Sequence, residues 1–175
     1  MPRESSVLKF EIINTIFIMI LGTLLHFTFA WSNNNPLVGI FSAVNESTWE
    51  HLKLLFFPML ISTIIGFYYN VRVIPNYLCA KVLGIIFAMS FVVISFYTYV
   101  GIIGTNFAAL NIGIFFIAVA LGQHVAYQKM QSTSFCGNVI PIIILLVLCL
   151  CFLIFTFFPP NIPLFEDPII GLFGI

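Results

Sequence analysis

Five apolar stretches, at 12–31, 54–69, 78–100, 107–127 and 139–158, dominate the chain and are joined by short connections. A bilayer's hydrocarbon core takes about 20 apolar residues of helix to cross, at about 1.5 Å of rise per residue. Only 7% of the 175 residues are charged, where a soluble domain carries about 25%. A water-soluble globule is excluded. Six basic and six acidic residues leave a net charge of zero, so no electrostatic footprint for a phosphate backbone exists and nucleic-acid binding is not expected. The expected fold is all-α: a single transmembrane domain over 1–175, a bundle of about five spanning helices whose partner is the lipid bilayer of the cell membrane.

The second stretch is short alone, but 45–53 extends it into one helix over 45–69, with Pro58 inside it predicting a kink. Orientation follows from Lys and Arg in the short loops. Arg3 and Lys9 precede the first span, Arg72 and Lys81 flank the second turn, and Lys129 follows the fourth span. The opposite loops and the tail hold none, which predicts the amino terminus inside and the carboxyl terminus outside. Lys53 is the exception, masked by Glu50 at i−3. Trp31, Tyr97 and Tyr99 suit the outer aromatic belt. The first apolar run is longer than the core of a cleaved signal peptide, so it is expected to stay as a span.

Small residues let membrane helices approach closely. Ala80, Gly84 and Ala88 on the third span, and Ala118, Gly122 and Ala126 on the fourth, predict a tight antiparallel hairpin turning at 101–104. The four cysteines, Cys79, Cys136, Cys149 and Cys151, form no C-x-x-C pair and have no His at ligand spacing, so neither a disulfide scaffold nor a zinc finger is expected.

The densest polar run is 42–53. Asn45 can cap a helix there, Ser47 and Glu50 have capping-box spacing, and Glu46 complements the helix dipole. On a helix starting at Asn45, Glu46, Glu50 and Lys53 share a face and two carboxylates can chelate one cation, while His51 joins them only through a bend or serves a neighbouring helix instead. Glu46, Glu50 and His51 are therefore the candidate metal ligands, with a divalent metal as the candidate cofactor. His26 lies in the outer half of the first span, where an ionisable group marks a functional position. Asn14 is a weaker candidate, Asn111 can bond across helices, and Gln123 and His124 fall near the inner end, where water solvates them. The Pro-rich tail, 159–175, is expected to fold over the outer surface, which puts Glu166 and Asp167 on the same side as Glu46, Glu50, His51 and His26.

The run F-S-A-V-N-E-S-T-W-E-H-L-K over 41–53, F-Y-T-Y over 96–99 with Gly101, Gly122 with Gln123, and P-x-I-P-L-F-x-D-P over 160–168 resemble a family of small bacterial multi-pass membrane proteins without established activity. The resemblance implies a membrane bundle and carries over no catalytic residue. Three functions are compatible with the residues. The first is binding or permeation of a cation or small solute through an outer Glu/His site that includes Glu46, Glu50, His51, His26 and Asp167. The second is a membrane-embedded, metal-dependent enzyme acting on a lipid-like substrate. The third is a structural or regulatory subunit, working as a homo-oligomer or with a membrane partner.

Overall fold

The computed structural model describes residues 2–70, 74–132 and 136–174. Its elements are α1 (Pro2–Trp31), α2 (Pro36–Gly39), α3 (Thr48–Asn70), α4 (Tyr77–Ile103), α5 (Ala108–Met130) and α6 (Val139–Phe157). Five of these helices are long and apolar enough to cross a membrane, and no strand occurs among the described residues. Helix α1 packs on α3 and α5, α3 on α4, and α4 on α5 and α6. Leucine, isoleucine and phenylalanine along the outward faces of α1, α5 and α6 are left exposed, as a lipid-facing surface requires.

The hairpin expected from the small-residue stripes forms. Ala80, Gly84 and Ala88 are buried against Ala118, Gly122 and Ala126. A Cβ on Gly84 would lie 2.4 Å from the Gly122 carbonyl oxygen, so the backbones themselves are in contact. The turn comes later than expected: α4 runs to Ile103, and Gly104 ends it with a positive φ of 82°, a conformation that favours glycine.

Helix α3 begins at Thr48, not Asn45. Asn45 turns the chain instead, its side-chain oxygen accepting the Ser47 amide at 3.0 Å, and Ser47 caps the helix by accepting the Glu50 amide at 3.3 Å. A short helix, α2, which the sequence did not suggest, follows the first span.

One lysine needs correction as a marker of orientation: Lys81 is buried and paired with Glu11, its own carboxylate inside the bundle. Lys53 pairs with Glu50 as expected, and the pair is fully buried. Arg72 lies outside the described residues. The pairing of Glu11 with Lys81 puts the starts of α1 and α4 at one end of the bundle. The other end gathers His26, the start of α3 and the tail.

Cys79 and Cys136 form a disulfide, with Cα atoms 6.1 Å apart. This corrects the expectation of no disulfide. The connection between α5 and α6 folds back on the start of α4, where the Asn76 side chain accepts the Cys136 amide at 3.1 Å and donates to the Ser132 carbonyl at 2.8 Å. Nothing in the spacing of the cysteines reveals that fold-back. Cys149 and Cys151 are free and half-buried in α6. A maleimide-polyethylene glycol reagent should thus add two adducts to the SDS-denatured, unreduced protein and four after reduction. Four adducts without reductant would refute the pairing.

Candidate functional site

The loop between α2 and α3 is clamped at both ends. The Ser42 hydroxyl, fully buried, donates to the Leu25 carbonyl of α1 and accepts the Phe29 amide at 3.0 Å. From the other side comes the tail. Leu164 accepts the Trp49 amide at 2.9 Å, and the Phe165 ring packs against the Trp49 ring, tilted by 39° at 4.9 Å between centres. Asp167 accepts the Glu46 amide at 3.1 Å, and Gly174 accepts the Asn45 side chain at 3.0 Å. The two acidic residues of the tail therefore part: Glu166 is exposed, and Asp167 turns inward. Asp167 is buried and spends its second oxygen on the amides of Ile169 and Ile170, so it positions the backbone of Glu46 and does not face the ligand cluster.

Held in this way, Glu46 turns its carboxylate between two imidazoles. Its Oε2 is 3.4 Å from His51 Nε2 and its Oε1 is 3.9 Å from His26 Nε2. The His26 and His51 rings are 5.3 Å apart, and one ligand atom from each of the three residues lies within 4.8 Å of the others. Tetrahedral zinc with bonds of about 2.0–2.1 Å separates its ligand atoms by about 3.3 Å, so small side-chain rotations close the set.

The tautomer of His51 is fixed. Its Nδ1 is 2.9 Å from the Ser47 carbonyl, which can only accept, so Nδ1 carries the proton and a neutral ring presents the Nε2 lone pair to Glu46. A lone pair facing a carboxylate calls for a cation between them. That cation is either a proton, which makes an imidazolium, or a metal; metal-ligating histidines are usually held this way, with the far ring nitrogen donating to a carbonyl or carboxylate.

Glu50 is the departure from the expected ligand set. Helix α3 starts after Glu46, so Glu46 and Glu50 do not share a helical face. Glu50 is buried, with its carboxylate on Lys53 and accepting the Val44 amide at 3.0 Å. His26, which the sequence marked separately, takes its place. The packing of α1 on α3 brings His26 and His51 together, and no spacing in the sequence encodes it.

Below these three side chains lies a cavity of about 290 Å³ between α1, α3, α4 and α5. Thr23, Thr48, Asn106 and Asn111 add polar groups to its lining, and Phe27, Val92, Phe96, Ile112 and Phe115 make most of the rest apolar. The Asn111 side chain bonds across the hairpin to Tyr99 of α4 and donates to Asn106 at 2.8 Å.

A second polar cluster, at the opposite end, was missed. Lys81 pairs with Glu11 and lies 3.4 Å from the Gln123 side-chain oxygen and 5.7 Å from the Tyr77 ring centre. Gln123 is buried here, not solvated, whereas His124 is exposed and bonds to Gln128 at 2.8 Å. Asn14, buried one turn above Glu11, has no partner for its amide nitrogen among the described residues. The available signal was a pair of opposite charges near the same end of two different spans.

A family model described as Family of unknown function (DUF6512) matches residues 1–175. No curated protein and no solved structure matches the chain.

Proposed function

The chain belongs to that family of unknown function, and we propose that it is a multi-pass membrane protein that binds a divalent transition metal, zinc by preference, through His26, Glu46 and His51 at one surface of the membrane. The observation that carries this reading is the Nε2 of His51, forced by the Ser47 carbonyl to face the Glu46 carboxylate at 3.4 Å with His26 beside them. Two imidazoles and one carboxylate suit zinc or a neighbouring first-row metal, and not the hard cations magnesium and calcium, which take oxygen. Three protein ligands leave a fourth position, and here it opens on the cavity. Binding fits better than passage across the membrane, because the helices pack closely one turn below His26. Gly22 is pressed so tightly that a Cβ there would lie 2.4 Å from the Leu54 carbonyl and 2.6 Å from the Phe115 ring.

The test is zinc content of the purified protein after loading and buffer exchange, by plasma mass spectrometry, alongside melting temperature. Wild type should hold about one zinc per chain and melt higher with zinc, since saturation at about 100 times Kd contributes about 2.7 kcal/mol. His26→Ala, Glu46→Gln and His51→Ala should lose both the metal and the shift, while Glu166→Gln keeps them. Protons compete with the metal for the imidazole lone pairs, so binding should weaken as the pH falls and return when it is restored. Zinc below about 0.2 per chain in wild type, or unchanged in His51→Ala, overturns the reading and leaves Glu46 and His51 as a plain ion pair.

A further inference from the structure

We infer that the cavity under His26, Glu46 and His51 receives one acyl chain of a phospholipid from the surrounding bilayer, with the phosphate head at those three residues. The placement of the head rests on the metal reading; the placement of the chain does not.

Three observations lead to this occupant. The cavity is polarised: the ionisable side chains stand at its mouth, and its deeper walls, Leu54, Val92, Phe115 and Phe116, are aliphatic and aromatic, with the hydroxyl of Thr23 spent on the Met19 carbonyl. The deeper, apolar part of the cavity is poorly suited to water, whereas a hydrocarbon chain gains the dispersion contacts that such walls offer. The lining runs along α5 from Ala108 to Phe116, about 12 Å at helical rise, which is an elongated space and not a spherical one.

The side wall is open. Phe27 on α1 and Ile112 on α5 both line the cavity and are 47% and 56% exposed, and both lie in helices long and apolar enough to cross the membrane. A wall with exposed side chains on two such helices faces lipid, not water. Whatever enters through it comes from the bilayer, and a phospholipid entering with its head at the outer surface brings an anionic oxygen to the height of His26. Facing Glu46 alone, that phosphate is repelled; facing a cation held by Glu46 and two neutral imidazoles, it is attracted.

The experiment uses full-length protein in vesicles of phosphatidylcholine and phosphatidylglycerol containing a trace of phosphatidylglycerol with a photoreactive diazirine on one acyl chain. After illumination, adducts are mapped by mass spectrometry. The expected result is labelling concentrated at Val92, Phe96 and Phe115, above that at Leu146 and Leu150 on the lipid-facing side of α6. Ala108→Trp or Ile112→Trp, bulky at exposed positions of the cavity wall, should cut the cavity labelling by about tenfold without changing zinc content. A chelator should reduce the labelling by releasing the head. Labelling spread evenly over cavity and α6 in wild type overturns the inference whatever the variants do. So does displacement of the phospholipid by dodecanoate at equal concentration, which would make a free fatty acid the ligand. Zinc bound without cavity labelling sinks the lipid inference and spares the metal reading. Cavity labelling in a protein that binds no zinc upholds the chain and overturns the head.

Discussion

Lys53→Met should destabilise the protein by about 3–5 kcal/mol, the cost of leaving a buried carboxylate without its cation. Lys53 is 0% exposed. Its ammonium pairs with Glu50 and donates to the Gly39 carbonyl at 2.6 Å and the Thr156 hydroxyl at 3.0 Å, so one group joins α2, α3 and α6. Glu50 in turn holds the Val44 amide, two residues before Glu46. Removing the ammonium alone strands Glu50 in an apolar interior. Removing both charges does not: Glu50→Leu combined with Lys53→Met should recover most of the loss, because well-packed apolar side chains replace a buried ion pair at little cost. The measurement is unfolding of each variant in mixed micelles by SDS titration, followed by tryptophan fluorescence. A loss below about 1 kcal/mol in Lys53→Met, or a double variant as unstable as the single one, would refute the account. The same comparison separates the two acidic residues of the 42–53 run. The double variant should retain zinc to the extent that it folds, and Glu46→Gln should fold and lose zinc.

The helices and their lipid-facing surfaces were legible because a bilayer imposes length and polarity on every spanning segment, whatever the helices touch. The hairpin of α4 and α5 was legible for a similar reason, since close backbone contact demands small residues at i and i+4 on both partners. What was hidden depends on pairs distant in the chain. His26 and His51 meet only because α1 packs on α3, and Lys81 finds Glu11 across 70 positions. Cys79 finds Cys136 across 57. Glu50 was misplaced by a local error of larger consequence. Starting the helix at Asn45 puts Glu46 and Glu50 on one face, but Asn45 bends the chain and the helix starts at Thr48. Three residues of difference send one carboxylate to the imidazoles and the other into the core. The tail was read correctly as a cover, yet the role of Asp167 as the acceptor that fixes the Glu46 backbone needed the folded chain.

Gly84→Leu should be the most damaging change in the hairpin and should act on the cavity as well. A Cβ on Gly84 would meet the Gly122 carbonyl oxygen at 2.4 Å and the Ala126 methyl at 3.0 Å; one on Gly122 would meet the Gly84 carbonyl oxygen at 2.7 Å and Ala88 at 2.8 Å. In both directions the obstacle is backbone, which cannot rotate away, so the helices must separate. Overpacking of this kind costs roughly 1–3 kcal/mol. Leucine at Gly84 belongs at the top of that range, and Gly84→Ala and Gly122→Ala below it. Gly113→Ala provides the control, because no atom lies within 4 Å of a Cβ placed there, and it should be neutral or slightly stabilising through helix propensity. SDS titration reads the stability. Val92 and Phe96 on α4 and Ile112 and Phe115 on α5 form the walls of the cavity beyond this contact, so separating the helices alters its width. Gly84→Leu should therefore weaken photolabelling in the cavity while His26, Glu46 and His51, which lie on α1, the 42–47 loop and α3, keep their metal. Equal stability of Gly84→Leu and Gly113→Ala would show that the close approach of α4 and α5 contributes nothing to holding the bundle together.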